Sequence, residues 1–194
     1  MFKECLENVR KNVPLVHNIT NYVTVNDVAN VTSICGGLNI NIGTLNKNTI
    51  PSMFAAGKKA NELGHVVLLD PVGAGASALR TNTANELMEK VKFDVVRGNI
   101  SEVKTLMVGS GSTKGVDADV ADKVTDENLE ETISKLKAFS KATGSIIAVT
   151  GAIDLVCNSE KCYVIRTRSV YDPVLILSYN VLASVLRSSA TPGF

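Results

Sequence analysis

The sequence predicts an α/β domain built on a mostly parallel central sheet, and three observations predict it. Short apolar runs rich in β-branched residues end in small or polar residues, helical patterns fill the intervals, and glycine-containing turns mark the joins. The runs lie at 38–42, 65–70, 93–96 and 145–149. They are continuous rather than strictly alternating, which is expected of strands covered on both faces. Between them, Ser52 is positioned to cap a helix over 53–63 that Gly64 stops, and a second helix is expected over 78–90. Asp126 is positioned to cap a third over 127–143. There the early Glu127, Glu130 and Glu131 and the late Lys135, Lys137 and Lys141 complement the helix dipole. Residues 152–157 and 161–166 read as an antiparallel hairpin. Alternating strands and helices imply right-handed crossovers and a doubly wound sheet, with ligands at the carboxyl ends of its strands.

Composition narrows the function. The 194 residues are 45% apolar and 20% charged, enough for a sizeable core and against intrinsic disorder. The net charge is +1 with no basic cluster, so nucleic acid is not expected as a partner. No apolar run approaches the roughly 20 residues of a membrane span. The first residues, with Glu4 and Glu7, lack a signal-peptide core, so a cytoplasmic location is expected. Cys5, Cys35, Cys157 and Cys162 have no zinc spacing to His17 or His65. Cys157 and Cys162 flank the turn 158–161 and could face each other, but reduced, half-buried thiols are the expectation.

Several residues at the ends of the runs could carry chemistry. Asp70 precedes Pro71-Val72-Gly73-Ala74-Gly75, where glycines let backbone N–H groups approach an anion. It reads as a metal or hydroxyl contact beside a phosphate, or as part of an ordinary strand-to-helix turn. Arg97 could pair with phosphate oxygens. Asn99 and Glu102 are three apart; they could share a bound magnesium, or form a helix capping box. Thr150-Gly151 suits a nucleotide contact or a turn. His17-Asn18-Ile19-Thr20-Asn21 could hold a small polar ligand or cap a helix. Gly109-Ser110-Gly111-Ser112-Thr113-Lys114-Gly115 fails the order of a phosphate loop and reads as a surface loop.

Taken in order, the segments 14–21, 39–45, 70–75, 97–102 and 149–151 resemble those of hydroxyethylthiazole kinase, a family of the ribokinase-like superfamily. The resemblance implies a mostly parallel sheet with helices on both faces, over residues 1–166. It implies ATP-dependent phosphorylation of the hydroxyl of 4-methyl-5-(2-hydroxyethyl)thiazole, a salvage step toward thiamine. Magnesium as cofactor and a homotrimer with sites between subunits are implied too. By position, Arg97 and Thr150 would contact ATP, Asp70 and Glu102 would lie by magnesium, and Asp70 would serve the chemistry. Asn18 and Gly43 would lie near the thiazole. A sibling vitamin or pyrimidine kinase, or a nucleotide-binding remnant without turnover, are the alternative readings.

Two departures accompany the resemblance. The family's Gly-x-Ser-Pro-x-Met segment has no counterpart near 32/33. After Arg166 the chain contains no Gly-Thr-Gly-Cys, the motif that opens a helix over the transferring phosphoryl group in the family. Residues 167–194 therefore read as an atypical tail, and the fold as incomplete at the C-terminus.

Overall fold

A computed structural model of the chain describes residues 16–19, 36–109 and 123–166, together with Glu7 and Lys11. The elements are β1 (Val16–Ile19), β2 (Gly37–Asn41), a 3-10 turn (Ile42–Thr44), α1 (Thr49–Glu62), β3 (Val66–Asp70), α2 (Ala78–Lys90), β4 (Val95–Asn99), α3 (Ile100–Gly109), α4 (Leu129–Thr143), β5 (Ile146–Thr150), β6 (Asp154–Cys157) and β7 (Cys162–Ile165). The loop 109–115, the region near 32/33 and the tail 167–194 lie largely or wholly outside the described residues.

The strands form one sheet in the order β1-β2-β3-β4-β5-β6-β7. β1 to β5 are parallel, and β6 and β7 add an antiparallel edge. Each strand sorts its side chains by parity. One face carries Leu38, Ile40, Val67, Leu69, Val96, Ile147, Val149, Leu155 and Cys157, and all of them join the core formed with α1 to α4. Met53, Ala56 and Ala60 of α1, Leu87 of α2, Val103 and Leu106 of α3, and Leu136 and Phe139 of α4 meet them there.

The α/β class stands, and the described helices α1 to α4 pack on the core face. Right-handed crossovers that all step the same way along a sheet deposit their helices on the same side. The opposite face carries Asn18, Asn39, Asn41, Asp70, Arg97 and Thr150, alternating with the core positions. Leu68, Val95 and Ala148 of this face are buried as well. Among the described residues, no helix is long and apolar enough to cross a membrane.

Cys157 and Cys162, expected as free thiols, are joined in a disulfide. They are direct partners in the β6–β7 register, closed by the turn in which the Asn158 N–H donates to the Lys161 carbonyl at 2.9 Å. A directly opposed antiparallel pair brings its Cβ atoms into bonding reach.

Candidate active site

Parallel strands deliver their carboxyl ends to one rim, and Asn41, Asp70 and Thr150 lie there. Asp70 ends β3 and is 1% exposed. A carboxylate so enclosed needs partners. The Asn41 Nδ2 donates to its Oδ2 at 2.9 Å, and Arg97 Nη1 approaches the same oxygen at 3.4 Å. Asn41 and Asp70 are register partners on β2 and β3, so the first contact follows from the pairing. Asn41 also accepts the Gly43 N–H at 2.8 Å, which fixes the 3-10 turn beyond β2. Arg80, at the start of α2, donates to the Gly43 carbonyl at 3.1 Å.

β4 runs three residues past the predicted 93–96, through Arg97-Gly98-Asn99. Arg97 thereby sits within the sheet rather than in a turn, and its side chain is 18% exposed. Thr150, at the end of β5, pairs in register with Asn99, and its hydroxyl donates to the Gly98 carbonyl at 3.4 Å. Asn18 lies on the same face in β1, paired with Asn39, whose Nδ2 donates to Asn18 Oδ1 at 2.9 Å. Asn18, Asp70, Arg97 and Thr150 thus share one face, with Gly43 just beyond its rim.

Glu102 occupies a different position. Its carboxylate closes a capping box at the start of α3: Oε2 accepts the Asn99 N–H, and Asn99 Oδ1 accepts the Glu102 N–H, both at 2.9 Å. Its Oε1 accepts the Gly73 N–H at 2.8 Å. Both oxygens are therefore engaged with backbone. Each keeps a second lone pair, so a metal contact is compatible with the cap but not required by it.

The donor set fits magnesium bound largely through phosphates and water. Such sites take one or two carboxylates from the protein, and Asp70 and Glu102 are the carboxylates that would be available here. Among the described residues, no cluster of three or more histidine, cysteine or acidic side chains could hold a metal by itself.

Sequence reasoning passed over Asn39, Asn41 and Arg80. Polar residues two apart inside the apolar run 38–42 were the available signal, because period-two spacing puts both amides on one face. Arg80 had no such signal, since its contact joins the first turn of α2 to the 3-10 turn after β2. A cavity of about 310 Å³ lies at the amino ends of β4 and β5, lined in part by Asn85, Phe93, Leu106 and Ser145. It includes none of the residues above, and the charged groups that suit phosphoryl transfer are at the other rim.

The chain is similar to known proteins over most of its length. The model of the hydroxyethylthiazole kinase family matches residues 31–191. A hydroxyethylthiazole kinase of Clostridium acetobutylicum is 59% identical over 186 residues, covering 86% of this chain and 68% of that protein. One of Clostridium tetani is 46% identical, covering 87% and 68%. The solved hydroxyethylthiazole kinase of Pyrococcus horikoshii superimposes with a TM-score of 0.74 at 27% identity, covering 97% of this chain and 77% of that one. A Ribokinase II of E. coli, solved with ATP and Mg2+, shares the fold at a TM-score of 0.55 and 12% identity. The chain spans about two thirds of the length of these curated relatives. On the family match and these identities, the chain belongs to the hydroxyethylthiazole kinase family.

Proposed function

We propose that this chain transfers the γ-phosphoryl group of ATP to the hydroxyl of 4-methyl-5-(2-hydroxyethyl)thiazole, serving thiamine salvage in a cytoplasmic setting. The observation that carries the reading is the Asn41–Asp70–Arg97 row on one sheet face, with Thr150 further along it and Asn18 on the first strand. Phosphoryl transfer asks chiefly for alignment and charge neutralisation, and a row of fixed polar groups on rigid strand ends suits both.

In this reading Arg97 and Thr150 hold ATP. The Arg97 guanidinium is the kind of planar donor that meets phosphate oxygens, and it approaches Asp70 Oδ2 at 3.4 Å. Asp70 would serve the substrate hydroxyl, and Asn41 and Arg97 contact its carboxylate. Asn18 and Gly43 border the thiazole. Asp70 and Glu102 would hold a magnesium ion, which when bound would neutralise phosphate charge. A homotrimer would place such sites between subunits.

A coupled assay of ADP release with the thiazole alcohol and Mg·ATP tests the function. Release that depends on the alcohol supports it; none above background overturns it. A second reading, nucleotide binding without turnover, is favoured by the lack of Gly-Thr-Gly-Cys between Arg166 and Phe194. Losing one such backbone donor costs about 10²–10³ in rate. Calorimetry with a non-hydrolysable ATP analogue separates the two.

A further inference from the structure

Asn41 joins the turn after β2 to the carboxylate that ends β3. Its Oδ1 accepts the Gly43 N–H at 2.8 Å, and its Nδ2 donates to Asp70 Oδ2 at 2.9 Å. The partners fix which way the carboxamide faces. The Gly43 N–H can only donate, so it must meet the amide oxygen, and the NH2 end is left to Asp70. Capping the turn does not by itself call for asparagine. Asn41 stands at the cap position of the 3-10 turn, where Asp, Ser or Thr also accept a backbone N–H. An Asp there would set two carboxylates face to face, and a Ser or Thr hydroxyl is a single atom that does not span from Gly43 to Asp70. Of these residues, Asn alone carries a separate acceptor and donor. The fit is close, since a Cβ on Gly43 would stand 2.9 Å from Asn41 Oδ1. Arg80 Nη2 braces the same turn by donating to the Gly43 carbonyl at 3.1 Å. The Gly43 N–H is occupied by Asn41, so the turn offers a ligand its shape rather than that donor.

We propose that Asn41 is a positioning residue that holds the turn 42–44 and the Asp70 carboxylate in one fixed relation, so that an alcohol seated against the turn presents its hydroxyl to Asp70. The assignment rests on the thiazole-alcohol reading above and deepens it. In that reading the turn governs binding and Asp70 governs transfer. The two ends of one carboxamide therefore separate into two measurable effects.

The experiment uses the full chain and reads binding and turnover apart, by calorimetry with the thiazole alcohol and by ADP release at saturating alcohol and Mg·ATP. Asn41→Asp keeps an acceptor for the Gly43 N–H and loses the donor to Asp70. It is expected to bind the alcohol within about twofold of the unsubstituted chain and to turn over about tenfold or more slower. Asn41→Leu loses both bonds and is expected to weaken alcohol binding about fivefold or more as well. A merely structural cap would lower both readouts together, in step with the melting temperature. The unsubstituted chain gives a further reading if the variants do not fold. Side-chain amide NMR is expected to show one Asn41 NH2 proton protected from exchange by its bond to Asp70 and the other not. Unchanged turnover in a folded Asn41→Asp chain, equal losses of binding and turnover in it, or an Asn41 NH2 group whose two protons exchange alike overturns the assignment alone. An unsubstituted chain that releases no ADP overturns the function together with this assignment.

Discussion

Asp70 joins the stability of the site to its chemistry. It is 1% exposed and meets Arg97 from a neighbouring strand. Asp70→Asn removes the carboxylate charge that faces the Arg97 guanidinium. It is expected to lower stability by about 1.5–3 kcal/mol in urea unfolding and turnover by about 10²-fold or more in the ADP-release assay. Arg97→Ala is expected to weaken ATP-analogue binding at least about tenfold by calorimetry, since a charge-assisted phosphate contact is lost. Glu102→Gln places an NH2 group against one of two backbone N–H donors. A loss of about 1–3 kcal/mol is expected in urea unfolding. A magnesium requirement for ADP release that rises as well would assign Glu102 to the metal, whereas an unchanged one would leave it as a cap. Gly73 has φ +73°, and an added Cβ would meet the Arg80 side chain at 2.7 Å. Gly73→Ala is expected to cost about 1–2 kcal/mol through the left-handed backbone, with thermal melting as the readout.

At the scale of elements, the regular segments were legible and their edges less so. Helix α2 begins and ends as its pattern indicates, 78–90. Helix α1 starts at Thr49 rather than after Ser52, because Asn46 Oδ1 takes the N–H groups of Asn48 and Thr49, and Ser52 then bonds back to the Asn48 carbonyl within the helix. Pro51 is tolerated there because first-turn N–H groups lack helical partners. Helix α4 starts at Leu129, with Asn128 rather than Asp126 at the cap position. The Arg97-Gly98-Asn99 stretch lies after the apolar run 93–96, yet it is strand. Gly98 is needed for space: a Cβ there would stand 2.9 Å from Glu102 Oε2 and 3.4 Å from Pro71. No local pattern reveals such a cross-element crowding. Helix α4 ends as expected on Gly144, at φ +72° with nothing within 4 Å of an added Cβ, so Gly144→Ala should cost about 1 kcal/mol from backbone strain alone. Within α4, the hydrogen bond and charge of Lys135 hold the Glu131 carboxyl below its usual range. The pair therefore contributes at neutral pH and is lost as pH falls through that lowered value. An NMR titration of Glu131 with a midpoint at or above the ordinary carboxylate range would contradict this.

Across the whole molecule, a single seven-stranded sheet carries both the candidate rim and the hairpin edge. The Cys157–Cys162 link was open to prediction from the facing positions, but compartment reasoning pointed to free thiols. Closing so short a loop removes little chain entropy, so reduction with dithiothreitol should cost about 2 kcal/mol and lower the melting temperature by several degrees. An unchanged melt after full reduction would show that the hairpin holds without it.

The Glu102 carboxylate draws these scales together. One of its oxygens takes a backbone N–H from the loop after β3, and the other takes one from the end of β4. Two connections that are far apart in the chain are therefore tied to a common anchor. A displacement of either loop is passed to the other, so the segments bearing Asp70 and Arg97 shift in concert rather than drift apart.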